Sequence, residues 1–228
     1  MKVFKKICLA IVIILMICIS VLFINAYYRY DTLKKEYPVE EIRDNLINKN
    51  VNYVYYDEIA KDLINATIAV EDQRFNDRYG FDYIAFARAM LTNLIYMDFV
   101  QGGSTIEQQL IKIYYFDYES SISRKISEIF FMYDLDDAYS KDEIIEMYLN
   151  VINYGDGYFG IYEAAHGYFN KQPTDLTLNE ASLIAGIPNS PYYLQLSNNN
   201  PETYKRQKMI LDMMLEQGYI NDIQEITN

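Results

Sequence analysis

The chain has 228 residues, 51% of them hydrophobic and 24 of them tyrosine, with a formal net charge of −12. So apolar a composition excludes extended disorder and accommodates one ordinary domain with an appendage. Residues 1–35 hold six basic side chains and one acid, while the remainder holds 14 basic and 31 acidic; that imbalance speaks against nucleic acid as a partner and against diffuse attraction to anionic headgroups.

Residues 1–6 form a basic tail with Lys2, Lys5 and Lys6, and no charge interrupts Ile7 to Ile24. Eighteen residues at helical rise give about 27 Å, enough to cross a hydrocarbon core. Residues 7–25 read as an uncleaved signal-anchor rather than a signal peptide, because no small-x-small site follows. The basic flank predicts a cytoplasmic tail and an extracytoplasmic domain at the cell membrane, with Arg29, Lys34 and Lys35 weighing slightly the other way. Cys8 and Cys18 both fall in the span, and His166 is the one histidine beyond it, so no structural zinc or other protein-held metal set is expected.

Residues 26–56 read as a connector, broken at Pro38, with a strand-like stretch from Val51 to Tyr56. From Asp57 the pattern is helical, and residues 57–228 read as one mainly α domain. Asp57 is expected to cap a helix with Ile59, Leu63, Ala66 and Val70 on its apolar face. Capping boxes are expected at Ser104 with Glu107, or one residue later at Thr105 with Gln108, then at Ser140 with Glu143 and Thr177 with Glu180. Between Phe81 and Val100 the charged residues are Asp82, Arg88 and Asp98. Such a segment is either a buried core helix or, in a tethered protein, a surface immersed in the bilayer.

Three groups carry potential chemistry. Glu71 and Asp72 end the Asp57 helix, where unpaired carbonyls raise a carboxylate's pKa and suit it to general-base work; an exposed acidic pair is the ordinary alternative. Gly102-Gly103-Ser104-Thr105 opens a helix, a position that receives anions, and Gln108 and Lys112 share a face of that helix. Arg124 and Glu128 are four apart, a spacing usually occupied by a solvated ion pair.

Their order and wording are more specific than any one group. Glu71-Asp72-Gln73-Arg74-Phe75 with Gly80 resembles the first signature of the family 51 glycosyltransferases, the transglycosylase domains of bifunctional penicillin-binding proteins and their monofunctional relatives. Gly102 to Lys112 resembles the second, Arg124-Lys125-Ile126-Ser127-Glu128 the third, Tyr148-Leu149-Asn150 through Phe169 the fourth, and Leu178 through Pro191 the fifth. The resemblance implies a lysozyme-like helical lobe with a small membrane-contacting jaw, located at the Phe81 to Val100 stretch. It implies lipid II and the growing glycan strand as substrates, polymerised into β-1,4 glycan. By position Glu71 is the base and Glu128 the second glutamate; Ser104, Thr105, Gln108, Lys112, Arg124 and Arg74 bind substrate. A divalent cation (Mg2+ or Mn2+) on the donor pyrophosphate, and transpeptidases or other cell-wall proteins as partners, belong to the same expectation. Arg78 stands where the family carries histidine, and Ile113 where it carries asparagine. That departure keeps open a non-catalytic lipid II-binding scaffold; a muramidase-like hydrolase has no use for the cations. No transpeptidase domain fits after residue 220, so a monofunctional enzyme is expected.

Overall fold

A computed structural model describes residues 2–96, 103–116 and 119–222; Gly102, Asp98 and Val100 lie outside them. The first element, α1 (Lys2–Glu36), is one unbroken helix that continues twelve residues past the end of the apolar run at Ile24. It is long and apolar enough to cross a membrane. Its last turns persist because they have a partner, α6 (Ile122–Ala138). Ser127 Oγ donates to the Ala26 carbonyl at 2.8 Å, and Tyr30 packs on Phe131 with ring centroids 4.9 Å apart. Asp134 then receives the Tyr30 hydroxyl at 2.5 Å and the Lys34 ammonium at 2.8 Å. Pro38, which has no N–H to continue the ladder, follows the helix and opens a single 3-10 turn.

The segment after Pro38 packs on the domain, with Val39, Ile42 and Val54 in the same apolar core. After α2 (Ile42–Lys49), Val51 to Tyr56 is a turn and an extended stretch, not a strand. Its β-rich composition is served instead by one side chain of α7 (Lys141–Val151). Asn150 accepts from the Val54 N–H at 2.9 Å and donates to the Val54 carbonyl at 2.8 Å, as a neighbouring strand would. One turn earlier, the buried Glu146 carboxylate takes Arg43 Nε at 2.8 Å, the Tyr53 hydroxyl at 2.7 Å and the Tyr56 N–H at 2.9 Å.

Asp57 does not cap the next helix. It sits in a 3-10 turn closed by Glu58 onto the Tyr55 N–H, and α3 (Lys61–Glu71) starts four residues later with Ala60 as its cap. The turn takes precedence because the Ala60 N–H donates to the Pro173 carbonyl at 3.0 Å, which fixes the chain before the helix begins. Leu63, Ala66 and Ala69 of α3 are buried against α9 (Leu178–Ala185) and α11 (Pro201–Glu216), while α5 (Ile106–Phe116) packs on α6 and α7. The remaining elements are α4 (Tyr83–Tyr96), α8 (Ile161–Phe169) and the single turn α10 (Pro191–Leu194). Among the described residues there is no strand, only an isolated bridge between Asn153 and Phe159.

Boxes at Ser140 with Glu143 and Thr177 with Glu180 form as their sequence predicts. At α5 the box is Thr105 with Gln108, not Ser104 with Glu107: Glu107 is drawn away by Arg78 and Lys141. On α4, Ile84, Met90, Leu91, Leu94 and Ile95 are all more than half exposed, so the segment is an apolar surface and not a core helix. The Asn150 clamp makes a stability prediction. Asn150→Ala leaves a buried N–H and carbonyl of Val54 unpaired and is expected to cost about 3 kcal/mol in chemical denaturation; a loss below about 0.5 kcal/mol is what a solvated, dispensable contact would give.

Candidate active site

Glu71 is the last residue of α3, and Asp72 leaves the helix with extended geometry (φ −159°, ψ 79°). Neither acid is exposed: the Glu71 side chain is 13% accessible and that of Asp72 is 3%. One Glu71 oxygen accepts from Gln109 Nε2 at 2.7 Å. The Tyr148 hydroxyl donates to Gln109 Oε1 at 3.2 Å, which turns the Gln109 amide so that its NH2 faces Glu71. The other oxygen, Oε1, has no hydrogen-bond partner among the described residues, with an Arg206 guanidinium nitrogen 3.9 Å away. Arg206 comes from α11 and is held by Nε donating to the Gly186 carbonyl at 2.8 Å. Burial is the main cause of a Glu71 pKa above the usual carboxylate range; Asp72 adds to it, while Gln109, Arg206 and Lys112 oppose it.

Glu71 opens onto a pocket of about 120 Å³ that Arg74, Arg88, Ser104 and Thr105 also line. Arg74 is paired with Asp82, whose Oδ1 also caps α4 through the Ala85 N–H at 2.7 Å. Ser104 is the junction with a second group. Lys125 Nζ donates to Ser104 Oγ at 2.9 Å and lies 3.0 Å from Glu128 Oε2. Arg124 pairs with the other Glu128 oxygen, and Glu128 is fully buried. The solvated i,i+4 pair expected from spacing is therefore a buried one, because this face of α6 is turned into the domain. Lys112 on α5 is coupled electrostatically to both halves, to Arg124 and to Glu71, and burial holds its ammonium below the usual lysine range. Burial, aided by Arg124 and Lys112, pushes Lys125 down to about 8 against the pull of Glu128.

The eight residues singled out by sequence thus fall into one continuous region. Glu71, Arg74, Ser104 and Thr105 line the pocket, Arg124 and Glu128 sit behind Ser104, and Lys112 lies between the two groups by its couplings. Gln108 is not turned to the pocket as a ligand; it is buried and closes the α5 cap with Thr105. Sequence reasoning missed Gln109 and Arg206 as partners of Glu71 and left Lys125 off the substrate-binding set. Gln109 had a local signal, since it stands next to Gln108 and one turn before Lys112. Arg206 had none, lying on a helix distant in sequence.

The residues present do not form a protein-held divalent site. Glu128 is one carboxylate bracketed by two cations, and among the described residues no three His, Cys, Asp or Glu side chains converge.

A transglycosylase family model matches residues 37–215. The chain is 38% identical to penicillin-binding protein 1F of Bacillus subtilis over 80% of its own length and 26% of that protein's, and 43% identical to penicillin-binding protein 2D of the same organism over 70% and 23%. It therefore spans about a quarter of the length of these relatives. A Cupriavidus necator protein provisionally named a transglycosylase is 38% identical, over 75% of this chain and 73% of its own. With the family match covering most of the chain and the signature residues gathered at one site, the chain belongs to the transglycosylase family, the family 51 glycosyltransferases.

Proposed function

We propose that the chain is a peptidoglycan glycosyltransferase that polymerises lipid II into β-1,4 glycan strands. The observation that carries this reading is the juxtaposition of a buried carboxylate, one oxygen of which has no hydrogen bond among the described residues, with a cationic cluster of Lys112, Arg124 and Lys125 behind Ser104. A base alone serves many reactions. A base beside an anion site serves transfer from a pyrophosphate donor.

In this reading Glu71 accepts the proton of the acceptor sugar's 4-hydroxyl while that oxygen bonds to the donor's anomeric carbon. The anomeric carbon–oxygen bond to the polyprenyl pyrophosphate breaks at the same time, and its electron pair leaves with the pyrophosphate. A single in-line displacement converts an α-linked donor to a β-linked product. Lys112, Arg124, Lys125 and the Ser104 hydroxyl receive the departing charge in a partly desolvated site, where fixed cations are worth more than in water. Glu128 sets Arg124 and Lys125 by pairing with both. Arg74 and Arg88, which line the same pocket as Glu71, take the acceptor's own pyrophosphate in this reading, Arg74 while paired with Asp82.

The chain is membrane-anchored through α1. The orientation belongs to the same proposal: the Lys2, Lys5 and Lys6 flank stays cytoplasmic and the domain lies outside, with the exposed apolar face of α4 against the bilayer. The signal-anchor thus occupies residues 7–25, and the catalytic domain works beside the other cell-wall enzymes.

Full-length protein in detergent with labelled lipid II is expected to give glycan strands on a sizing gel, and Glu71→Gln to lower the rate by about 10³-fold. Binding without product in wild type and variant alike would falsify the transferase and leave a scaffold. The pH profile follows from the two shifted groups. Glu71 works deprotonated, so activity falls as pH drops through its raised pKa, leaving an acid limb above the range of an ordinary glutamate. Lys125 is cationic below about 8, so kcat/KM is expected to fall above that pH, and Lys125→Arg to move this alkaline limb upward; an unmoved limb assigns it to another group. Stability has the opposite sign at Glu71. A carboxylate whose folded pKa is raised loses stability as pH rises through that value, so Glu71→Gln is expected to raise Tm at pH 8 and to leave it nearly unchanged at pH 4.

A further inference from the structure

Arg78 is the residue at which this chain departs from its family inside the first signature, and it does not replace histidine as a spectator. Its side chain is 9% exposed and bridges two carboxylates, Asp72 and Glu107, through one guanidinium nitrogen. A second nitrogen donates to the Gly80 carbonyl. Gly80 holds φ +65°, and a Cβ there would stand 2.2 Å from the Tyr133 ring, so this turn cannot slide to accommodate a different partner.

The circuit continues beyond Arg78. Glu107 is fully buried and takes Lys141 Nζ at 2.7 Å, and Lys141 also reaches Asp136 at 2.6 Å. Asp136 accepts the Gly80 N–H at 2.6 Å, closing the loop. Three carboxylates, Asp72, Glu107 and Asp136, are thus matched against two cations, Arg78 and Lys141. Burying such a set without the arginine leaves Asp72 and Glu107 facing each other with Lys141 as the sole cation.

What the circuit holds is the site. Asp72 follows Glu71 directly, and its Oδ2 accepts the Ile106 N–H at 3.3 Å at the start of α5. The residues just before Ile106, Ser104 and Thr105, line the pocket that Glu71 faces. Arg78 therefore joins the end of α3 to the beginning of α5 on the side opposite Gln109, which joins the same two helices through Glu71 itself.

We propose that Arg78, through its shared hold on Asp72 and Glu107, is a positioning residue that sets Glu71 against the N-terminus of α5. The inference rests on Glu71 being the base of the reaction proposed above. The groups facing Glu71 are Asp72 on its own element, Gln109 and Lys112 from α5, Arg206 from α11, and Tyr154. Removing Arg78 unties Asp72 from Glu107, and Glu71, the residue before Asp72, loses its fixed place against Gln109 and the start of α5. Burial already holds Asp72 above the usual carboxylate range, so without the guanidinium it takes up a proton and its hold on the Ile106 N–H weakens.

The test is a charge-balance cycle in the full-length protein. Arg78→Gln is expected to lower kcat about 30-fold with KM within about twofold. Arg78→Lys, whose single ammonium cannot span both carboxylates and Gly80, is expected to lie in between. Arg78→Gln combined with Glu107→Gln replaces the carboxylate facing Asp72 by an amide that donates to it, and is expected to run about fivefold faster than Arg78→Gln alone. A role confined to stability predicts instead that kcat follows Tm in every variant and that the double variant is the slowest. A folded Arg78→Gln at wild-type rate, or a double variant no faster than the single, overturns the proposal. Should wild type itself make no strands, the failure belongs to the transferase reading, and amide exchange decides the positioning. Protection of the Ile106 N–H is expected to fall in Arg78→Gln and to return in the double variant; unchanged protection in Arg78→Gln overturns it.

Discussion

A carboxylate that is to act as a base must be buried enough to hold a proton near neutral pH, yet must not be so well paired that it never takes one. Glu71 meets both conditions by its place at the end of α3. The helix supplies no N–H donors there, the surrounding helices remove water, and a single neutral donor, Gln109, holds one oxygen. The nearest cation, Arg206, stands at 3.9 Å because its Nε is committed to the Gly186 carbonyl. Had Arg206 closed into a bidentate pair, the carboxylate would be held ionised and weakly basic. Much of the tertiary structure can be traced to this requirement: α5 and α7 orient Gln109 through Tyr148, and α9 and α11 fix Arg206 while packing on α3.

The helix α6 carries the second constraint. Ser123, Ser127, Phe130 and Asp134 recur along one stripe and receive the last turns of α1, whereas Arg124, Lys125 and Glu128 turn toward Ser104. A single rigid element therefore bonds the membrane anchor on one side and gathers the anion-binding cations on the other. The distance of the site from the apolar run follows from the length of α1 beyond that run. Its direction follows from the phase of two stripes on one 17-residue helix. For a substrate whose reactive pyrophosphate sits at a fixed depth in a headgroup layer, that coupling is a geometric requirement.

Local rules read the sequence well where the residues concerned answer to their neighbours. Ser140 with Glu143 and Thr177 with Glu180 bond each other and form as read. The rules fail where a distant group competes. Glu107 leaves Ser104 because Arg78 and Lys141 offer charge, and Asp57 gives way because Pro173 holds Ala60. Val51 to Tyr56 has strand composition but finds its partner in the Asn150 side chain, a contact no periodicity predicts. At the site, Glu71, Arg74, Ser104, Lys112, Arg124 and Glu128 were legible through the wording of short signatures. Their burial was not, since spacing alone describes Arg124 and Glu128 equally well as a solvated pair. Arg206 was invisible, because what identifies it is where α11 crosses the end of α3.

The strongly acidic balance of the domain sets off the few places where cations gather. With 31 acids against 14 bases after residue 35, a cation is ordinarily neutralised by the nearest carboxylate. Arg43, Arg74 and Arg78 are all spent in this way, on Glu146, Asp82 and the Asp72–Glu107 pair. Behind Ser104 the ratio reverses, with Arg124 and Lys125 sharing one carboxylate and Lys112 coupled to the same group of charges. Burial lowers the pKa of both lysines, and the neighbouring cations lower it further. Such a cluster is unfavourable in the empty protein and is relieved by a doubly charged ligand. The gain is greatest when that ligand's charge grows, as it does when a pyrophosphate leaves an anomeric carbon. In the proposed reaction, a protein acidic elsewhere thus concentrates positive charge at the one buried point where the leaving group's charge develops.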